Sequence, residues 1–269
     1  MELFNIPKKI HPRKSLEASF KIPLNIYQTW ENNKVPKGMY KAIYTWINLN
    51  PEYTYNLYDS QDRLNYVINF NCNDFSFDNK ELLYCYKNMA KNAAKADIWR
   101  YLILYDQGGV YTDIDTECLI PLKNYIKKED EFLNGLNNRG QIYQTFIFTK
   151  PKHDFIKELI ELVIYNIKNK SFINDWHGLK TLTGPTTINY AIKKHLNLLT
   201  PEEKNRKADI GNQFKFDYNL SDLKGYKVKF IPNFTDDYIN FQYKDYKNEI
   251  LKLNLPHWEG DNENQIFLN

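Results

Sequence analysis

The segment KADIWRYLILYDQGGVYTDIDTE, residues 95–117, limits the fold of this chain more than any other part of the sequence. Apolar residues at helical spacing predict an amphipathic helix from about Lys87 to Tyr105. Gly108 and Gly109 then end that helix, because glycine adopts backbone conformations that other residues disfavour. The residues VYTDID that follow predict a β-strand. Helices that lead directly into strands are typical of α/β folds.

The rest of the chain alternates in the same way. Runs of β-branched and aromatic residues predict strands at 22–30, 53–59, 142–151 and 226–232. Helical periodicity predicts helices at about 40–47, 60–70, 153–169 and 184–196. We therefore expect one α/β domain, residues 1–269, with a mostly parallel central sheet flanked by helices.

Composition excludes several classes of function. The net charge of +3 comes without a long basic run, so we expect no nucleic-acid partner. No apolar stretch reaches signal-peptide or membrane-span length, which predicts a soluble, cytoplasmic chain with no integral membrane segment. Three widely spaced cysteines in no metal-ligand pattern fit a reducing compartment.

The charged residues of the opening segment are the candidate site. In a strand, Tyr111, Asp113 and Asp115 share one face. Two carboxylates this close repel each other unless a cation lies near them, and a hard divalent ion such as Mg²⁺ or Mn²⁺ is the simplest solution. On the preceding helix, Asp97 and Arg100 are neighbours at spacing three.

Simpler interpretations of the same residues remain open. Asp97 and Arg100 could be an ordinary ion pair on a solvated helix face, and the two later aspartates could cap a turn at a strand end. An EF-hand loop starting at Asp113 is excluded, because its sixth and twelfth positions hold Cys118 and Asn124. A phosphatase of the haloacid-dehalogenase type fits poorly, since glycines precede the motif.

Taken together, ADIWRYLILYDQGGVYTDID resembles the Asp-x-Asp sugar-binding region of glycosyltransferase family 32, which is related to initiating mannosyltransferases, capsular-polysaccharide transferases and clostridial glucosylating toxins. The resemblance extends to IPLNIYQTW upstream and to QTFIFTKPKHDF, TGP and PHWEG downstream. It implies a GT-A type fold, a nucleotide-sugar donor, a divalent metal and transfer with retention of configuration. Residues 1–120 would form the nucleotide-sugar-binding half, and residues 121–269 the acceptor-side half with a C-terminal closing segment.

The resemblance also implies roles for individual residues. Gln28 and Trp30 would contact the nucleotide, the latter by stacking on the base, and Tyr111 would lie beside the donor. Asp97 and Arg100 would hold hydroxyls of the donor sugar. Asp113 would bind ribose or sugar hydroxyls and assist the metal, which Asp115 would ligate directly.

A further element of the family lies near the C-terminus, where His257 would ligate the metal and Trp258 would contact the donor. The family's element usually ends in Ser-Trp, whereas Asp261 and Asn262 stand here. The third metal ligand is therefore open among His257, Glu259 and Asp261.

Two smaller departures concern the donor pocket. The first strand has Tyr27 where the family often has histidine, so base recognition could differ. Gln144 stands where an asparagine is common and is a candidate for lining the sugar pocket.

The predicted function is a metal-dependent hexosyltransferase. It would use Mn²⁺ or Mg²⁺ and a nucleotide-diphosphate sugar, UDP favoured over GDP, to glycosylate a hydroxyl of a glycan or glycoconjugate. The alternatives are a non-catalytic carbohydrate-binding protein and, less favoured, the phosphatase.

Overall fold

The structure is a computed structural model that describes residues 2–15, 19–137, 140–170, 178–204, 228–232, 234–255 and 266–268. Its strands are β1 (Leu3–Asn5), β2 (Lys9–Ile10), β3 (Asn25–Thr29), β4 (Lys34–Pro36), β5 (Thr54–Tyr58), β6 (Gly109–Thr112), β7 (Glu117–Cys118), β8 (Phe132–Leu136), β9 (Phe146–Thr149), β10 (Val228–Pro232) and β11 (Ile239–Asn240). Its helices are α1 (Lys37–Leu49), α2 (Ser60–Ile68), α3 (Asn79–Asn88), α4 (Asn92–Gln107), α5 (Asp154–Asn169), α6 (Gly178–Leu182), α7 (Pro185–His195), α8 (Pro201–Lys204), α9 (Phe234–Asp237) and α10 (Tyr246–Leu253), with a 3-10 turn at Leu122–Asn124.

Seven strands form the central sheet in the order β10-β8-β9-β6-β3-β5-β2. The strands β5, β3 and β6 run parallel in its middle, as do β10 and β8 at one end, whereas β9 and β2 run antiparallel to their neighbours. Helices cover this mixed sheet, so the predicted α/β class is confirmed. The parallel strands of the middle end at one edge, where α/β sheets generally bind ligands.

Two hydrophobic clusters cover the two faces of the sheet, because successive residues of a strand point to opposite sides. In β3, Ile26 packs with α1 and Tyr27 with the helices of the other face. Helices α2, α3, α4, α5 and α7 build that second layer. Among the described residues, no helix has both the length and the apolarity needed to cross a bilayer.

The predicted helix from about Lys87 is wrong at its start. A separate helix, α3, ends at Asn88, and α4 begins at Asn92. Between them the backbone pairs with the C-terminal tail: Ala90 N donates to Ile266 O at 2.9 Å. These bonds use backbone groups that a continuous helix would need internally, which explains the break.

The helix α4 is buried on all sides, so the expectation of an amphipathic helix with charges at its rim is also wrong. Every residue from 96 to 105 is buried. Asp97 and Arg100 therefore lie inside the protein, and the interpretation as a solvated ion pair fails.

The turn that joins α4 to the sheet depends on two glycines, as predicted. Gly108 and Gly109 have φ of 63° and 109°, in the region that residues with side chains disfavour. A Cβ on Gly109 would lie 2.8 Å from Asn25 O of β3. Glycine is therefore needed both for the turn and for the close approach of the two strands.

The predicted strand VYTDID is shorter than expected. The strand β6 ends at Thr112, and a turn follows from Asp113 to Thr116. Asp115 therefore does not share a strand face with Tyr111, and the alternation argument fails for it. The turn forms because Thr116 donates to Asp113 O through both its backbone N–H, at 3.2 Å, and its hydroxyl, at 2.7 Å.

Candidate active site

The Asp-x-Asp turn lies at the carboxyl end of β6, next to the end of β3. Asp113 N donates to Thr145 O at 2.8 Å, which joins the turn to the segment before β9. Gln28 Nε2, from β3, donates to Asp113 O at 3.1 Å, and Tyr55 Oη donates to Gln28 Oε1 at 2.8 Å. Three strands or their flanking segments thus fix the backbone of the turn.

Arg100 connects the helix α4 to this turn. Its Nη2 lies 3.2 Å from Asp97 Oδ1, and its Nη1 lies 3.2 Å from Asp113 Oδ1. The guanidinium also donates to Gln144 O at 3.1 Å and lies 4.4 Å from the ring centre of Tyr111. Burial acts to lower the pKa of Arg100, but Tyr111, Asp113 and Asp97 outweigh it and raise the pKa, so the side chain stays charged.

Both carboxylate oxygens of Asp97 have a partner in the protein. Besides Arg100, it accepts a hydrogen bond at Oδ2 from the hydroxyl of Thr183, at 2.7 Å. Burial raises the pKa of Asp97 to about 6, although Arg100 and Thr183 act to lower it. The sequence did not predict the hydrogen bond from Thr183 to Asp97, although Thr183 belongs to the TGP segment that resembles the family.

Thr183 has a second link to the site through its carbonyl oxygen. That oxygen accepts from Tyr101 Oη at 2.9 Å and from Gln144 Nε2 at 3.2 Å. Gln144, the predicted pocket residue, therefore contacts the site through both its side chain and its backbone carbonyl.

Tyr111 is buried, and its hydroxyl donates to Asp113 Oδ1 at 2.5 Å. Its ring contacts the Arg100 guanidinium and also Trp99, whose ring centre lies 6.2 Å from that of Tyr111. The structure thus places Tyr111 as a partner that orients the Asp113 carboxylate.

Asp115 is held by the C-terminal part of the chain. Gln242 Nε2 donates to Asp115 Oδ2 at 2.9 Å, and Tyr243 N donates to Asp115 O at 2.9 Å. Burial and the charge of Asp113 raise the pKa of Asp115 to about 7, and the bond from Gln242 acts against this rise. No feature of the sequence pointed to Gln242.

The two aspartates of the turn, Asp113 and Asp115, could hold a divalent cation only together with oxygens from a ligand or from further residues. Three carboxylates, Asp97, Asp113 and Asp115, share the single positive charge of Arg100. The excess negative charge is concentrated at the two aspartates of the turn, and Asp113 has 32% of its side chain exposed. Carboxylate oxygens in this arrangement are what Mg²⁺ and Mn²⁺ prefer. The described residues contain no group of three or more His, Cys, Asp or Glu placed to hold a metal.

The remaining predicted residues lie at different depths. Gln28 is fully buried and used by the turn, whereas Trp30 is partly exposed just after β3. The stacking of Trp30 on a nucleotide base stays a prediction. His257 and Trp258 lie outside the described residues, as do the other candidates for the third ligand.

Residues 36–133, which include α4, β6 and the Asp-x-Asp turn, match the family model described as "Glycosyltransferase sugar-binding region containing DXD motif". The chain therefore resembles this family over the segment that holds the Asp-x-Asp turn. The predicted resemblance to this family is therefore confirmed, and the α/β architecture around the region agrees with the predicted GT-A type fold.

Curated proteins similar to this chain include fungal enzymes. The "Initiation-specific alpha-1,6-mannosyltransferase" of Candida albicans is 26% identical over 76% of this chain and 63% of its own length. The "Inositol phosphoceramide mannosyltransferase 3" of Schizosaccharomyces pombe is 34% identical over 39% of this chain and 28% of its own length. The chain thus spans less than two thirds of these relatives. Among solved structures, the "PaToxG Glycosyltransferase" is similar with a TM-score of 0.48 and 16% identity, covering 69% of this chain and 73% of that one.

Proposed function

We propose that this chain transfers a sugar from a nucleotide-diphosphate sugar to a hydroxyl group of a glycan or glycoconjugate, with retention of configuration at the anomeric carbon. The observation that carries the proposal is the charge imbalance at the Asp-x-Asp turn. Asp113 and Asp115 concentrate negative charge beside one arginine, in a region that matches a sugar-binding family. A divalent cation bound to a diphosphate would balance that charge.

Asp115 and Asp113 would hold the metal ion. When bound, a Mn²⁺ or Mg²⁺ ion supplies Lewis-acid stabilisation of the diphosphate leaving group. Gln242 fixes one oxygen of the Asp115 carboxylate, and Tyr111 and Arg100 fix one oxygen of Asp113. Each aspartate then presents its carboxylate in a set direction, and this saves reorganisation during the reaction.

Arg100, with Asp97 behind it, would position the donor sugar. The guanidinium of Arg100 forms ion pairs with Asp97 and with Asp113. The Arg100 side chain is only 8% exposed. Such a fixed group contributes through orientation, where a small displacement strongly reduces the rate. The partly exposed Trp30 would stack on the base of the nucleotide.

In the proposed reaction the acceptor oxygen forms a bond to the anomeric carbon on the face from which the diphosphate departs. The bond between that carbon and the diphosphate oxygen breaks, and the electron pair leaves with the diphosphate. The acceptor's proton passes to the departing phosphate oxygen, so the protein need not supply a general base.

The proposal also concerns donor specificity, which is the choice of nucleotide and of sugar. A UDP-sugar is the donor predicted from the sequence. The relatives named above are mannosyltransferases by name, so a mannosyl donor belongs in any test panel. UDP-glucose, UDP-galactose and GDP-mannose together cover both nucleotides.

The test is release of nucleoside diphosphate from this panel with Mn²⁺, by wild type and Asp115→Asn. We expect release by wild type, suppression by excess chelator, and a loss of at least about 100-fold in the isosteric variant. Asp74→Asn, which changes an exposed carboxylate paired with Lys152, serves as the control and should match wild type.

Three results would contradict the proposal. Undiminished release in Asp115→Asn or in excess chelator removes the metal role. Binding of donors without any release indicates a carbohydrate-binding protein. Release of inorganic phosphate from phosphate esters indicates the phosphatase.

A further inference from the structure

An exposed aromatic residue adjoins Gln242 of the candidate active site in the sequence and makes none of the contacts described for that site. Phe241 has 48% of its surface exposed, and its ring centre lies 6.0 Å from that of Tyr143, at an interplanar angle of 43°. Large exposed aromatic side chains at the edge of a polar site are characteristic of surfaces that bind rings. We refer to these two residues as the aromatic pair.

Each residue of the aromatic pair directly precedes, in the sequence, a residue that contacts the charged cluster. Phe241 precedes Gln242, whose side chain donates to Asp115 Oδ2 at 2.9 Å. Tyr143 precedes Gln144, whose carbonyl accepts from Arg100 at 3.1 Å. The pair therefore lies within one residue of groups that touch the two ends of the charged cluster.

Hydrogen bonds hold Tyr143 in place. Its backbone N–H donates to Asn134 Oδ1 at 3.0 Å, and its carbonyl accepts from Asn134 Nδ2 at 2.9 Å. Its hydroxyl lies 3.0 Å from the hydroxyl oxygen of Thr235. The ring also packs on Phe146, with centres 4.6 Å apart.

The backbone around Phe241 is fixed in the same way. Asn240 Nδ2 donates to Glu117 Oε2 at 2.8 Å, and Tyr243 N donates to Asp115 O at 2.9 Å. Anchors on both sides of Phe241 hold its backbone, and the contact with the Tyr143 ring restrains its side chain. The aromatic pair is thus pre-organised, and binding to it loses little conformational entropy.

We propose that Tyr143 and Phe241 form an acceptor subsite that packs against the apolar face of a pyranose ring. The ring C–H groups of a sugar supply a hydrophobic surface, while its hydroxyls stay in water or reach the polar groups beside the pair. Both residues belong to the segment 121–269, which the sequence predicted to be the acceptor side. This subsite rests on the proposed function, because an acceptor hydroxyl must come close to Asp115 and Arg100.

The test measures sugar binding without donor or turnover. Saturation-transfer NMR titrations of methyl α-D-mannopyranoside and methyl β-D-glucopyranoside give Kd values for wild type, Phe241→Ala and Phe241→Trp. We expect wild type to bind at least one glycoside, Phe241→Ala to raise its Kd about tenfold, and Phe241→Trp to restore it, because the tryptophan keeps an aromatic face. Tyr84→Ala removes an exposed aromatic on α3 and should bind as wild type does.

Equal Kd values for wild type and Phe241→Ala, or no saturation transfer to either glycoside, overturn the subsite. A thermal melt of each variant confirms that it is folded. The two failures can be told apart: a Phe241-dependent Kd in a protein that releases no nucleoside diphosphate keeps a sugar-binding site at the aromatic pair and refutes the transferase. Release with unchanged Kd refutes the subsite alone.

Discussion

The hydroxyl of Thr183 donates to Asp97 Oδ2 at 2.7 Å and so ties the loop before α7 to the buried helix α4. The two residues are 86 positions apart in the sequence. Asp97 in turn positions Arg100, so the loop supports the cation that contacts the Asp-x-Asp turn.

We expect Thr183→Val to reduce turnover about tenfold or more, because the isosteric change leaves a buried Asp97 oxygen without its donor and disturbs Arg100. Thr183→Ser keeps the hydroxyl and should retain most activity. The measurement is kcat and KM for donor hydrolysis, alongside the thermal melt.

Thr187→Val is the matched control for this prediction. It removes another buried threonine hydroxyl, which donates to Thr181 O at 2.6 Å, without touching Asp97. A comparable loss of turnover in both valine variants would mean that the Thr183 effect reflects stability alone.

We expect Gln242→Ala to weaken Mn²⁺ binding about tenfold, since residues that orient a metal ligand typically contribute this much to affinity. The variant removes the hydrogen bond to Asp115 Oδ2 and with it one constraint on the orientation of this carboxylate. Free Mn²⁺ measured by electron paramagnetic resonance gives the Kd directly. Gln61→Ala, an exposed glutamine on α2, is the control, and an unchanged Kd in Gln242→Ala would refute the orienting role.

We expect Glu249→Ala to lower the free energy of unfolding by about 1–2 kcal/mol. Both carboxylate oxygens of Glu249 accept from Gly38 N, at 3.1 and 3.0 Å, in the first turn of α1, and Tyr243 Oη donates to the same group at 2.9 Å. Urea unfolding measures the change. Glu129→Ala, at an exposed position, should stay within about 0.5 kcal/mol of wild type, and a similar small change in Glu249→Ala would contradict the capping role.

The fourth prediction concerns acid stability. His153 is buried at the N-terminus of α5, where its Nδ1 accepts from Phe155 N at 3.2 Å. Burial, with smaller effects of His195 and Lys150, lowers the pKa of His153 to about 4. The unfolded chain binds this proton near pH 6.5. Between these values the unfolded state holds more protons, so stability falls as the pH falls.

His153→Asn keeps a side chain that caps helices well but does not titrate. We expect wild type to lose up to about 3 kcal/mol more than this variant between pH 7 and pH 4, from a shift of about 2.5 pKa units. Urea unfolding at several pH values measures the difference. His11→Asn, at an exposed position, should follow the wild-type profile, and parallel profiles for wild type and His153→Asn would exclude the effect.

Local patterns in the sequence predicted much of the fold. The glycine turn, the helices α1, α2, α5 and α7 and the strand β3 all carry strong periodicity or breakers. The strand β8 was missed, because Asn134 and Gly135 interrupt its apolar pattern. Both are buried there: Asn134 Nδ2 donates to Phe146 O at 2.9 Å, and a Cβ on Gly135 would collide with Phe234.

The site was predictable where it is local and not where it depends on distant contacts. Asp97, Arg100 and Asp113 lie in one helix–turn–strand segment, and the structure brings them together as the spacing suggested. Thr183 and Gln242 reach the site through tertiary packing, which leaves no periodic signal in the sequence. The sequence also did not predict that α4 is buried on all sides, because this burial comes from other helices that pack against it.

The bond between Gln242 and Asp115 joins residues 127 positions apart, whereas Arg100 meets Asp113 within one short segment. Local contacts close faster than distant ones during folding. We therefore expect the ion pairs of Arg100 with Asp97 and Asp113 to form early in folding. The hydrogen bond between Gln242 and Asp115 should form last. In pulse-labelled hydrogen exchange, amides of α4 should gain protection before those of α10. A chain emerging from the ribosome would then form the contacts among Asp97, Arg100 and Asp113 before Gln242 reaches Asp115.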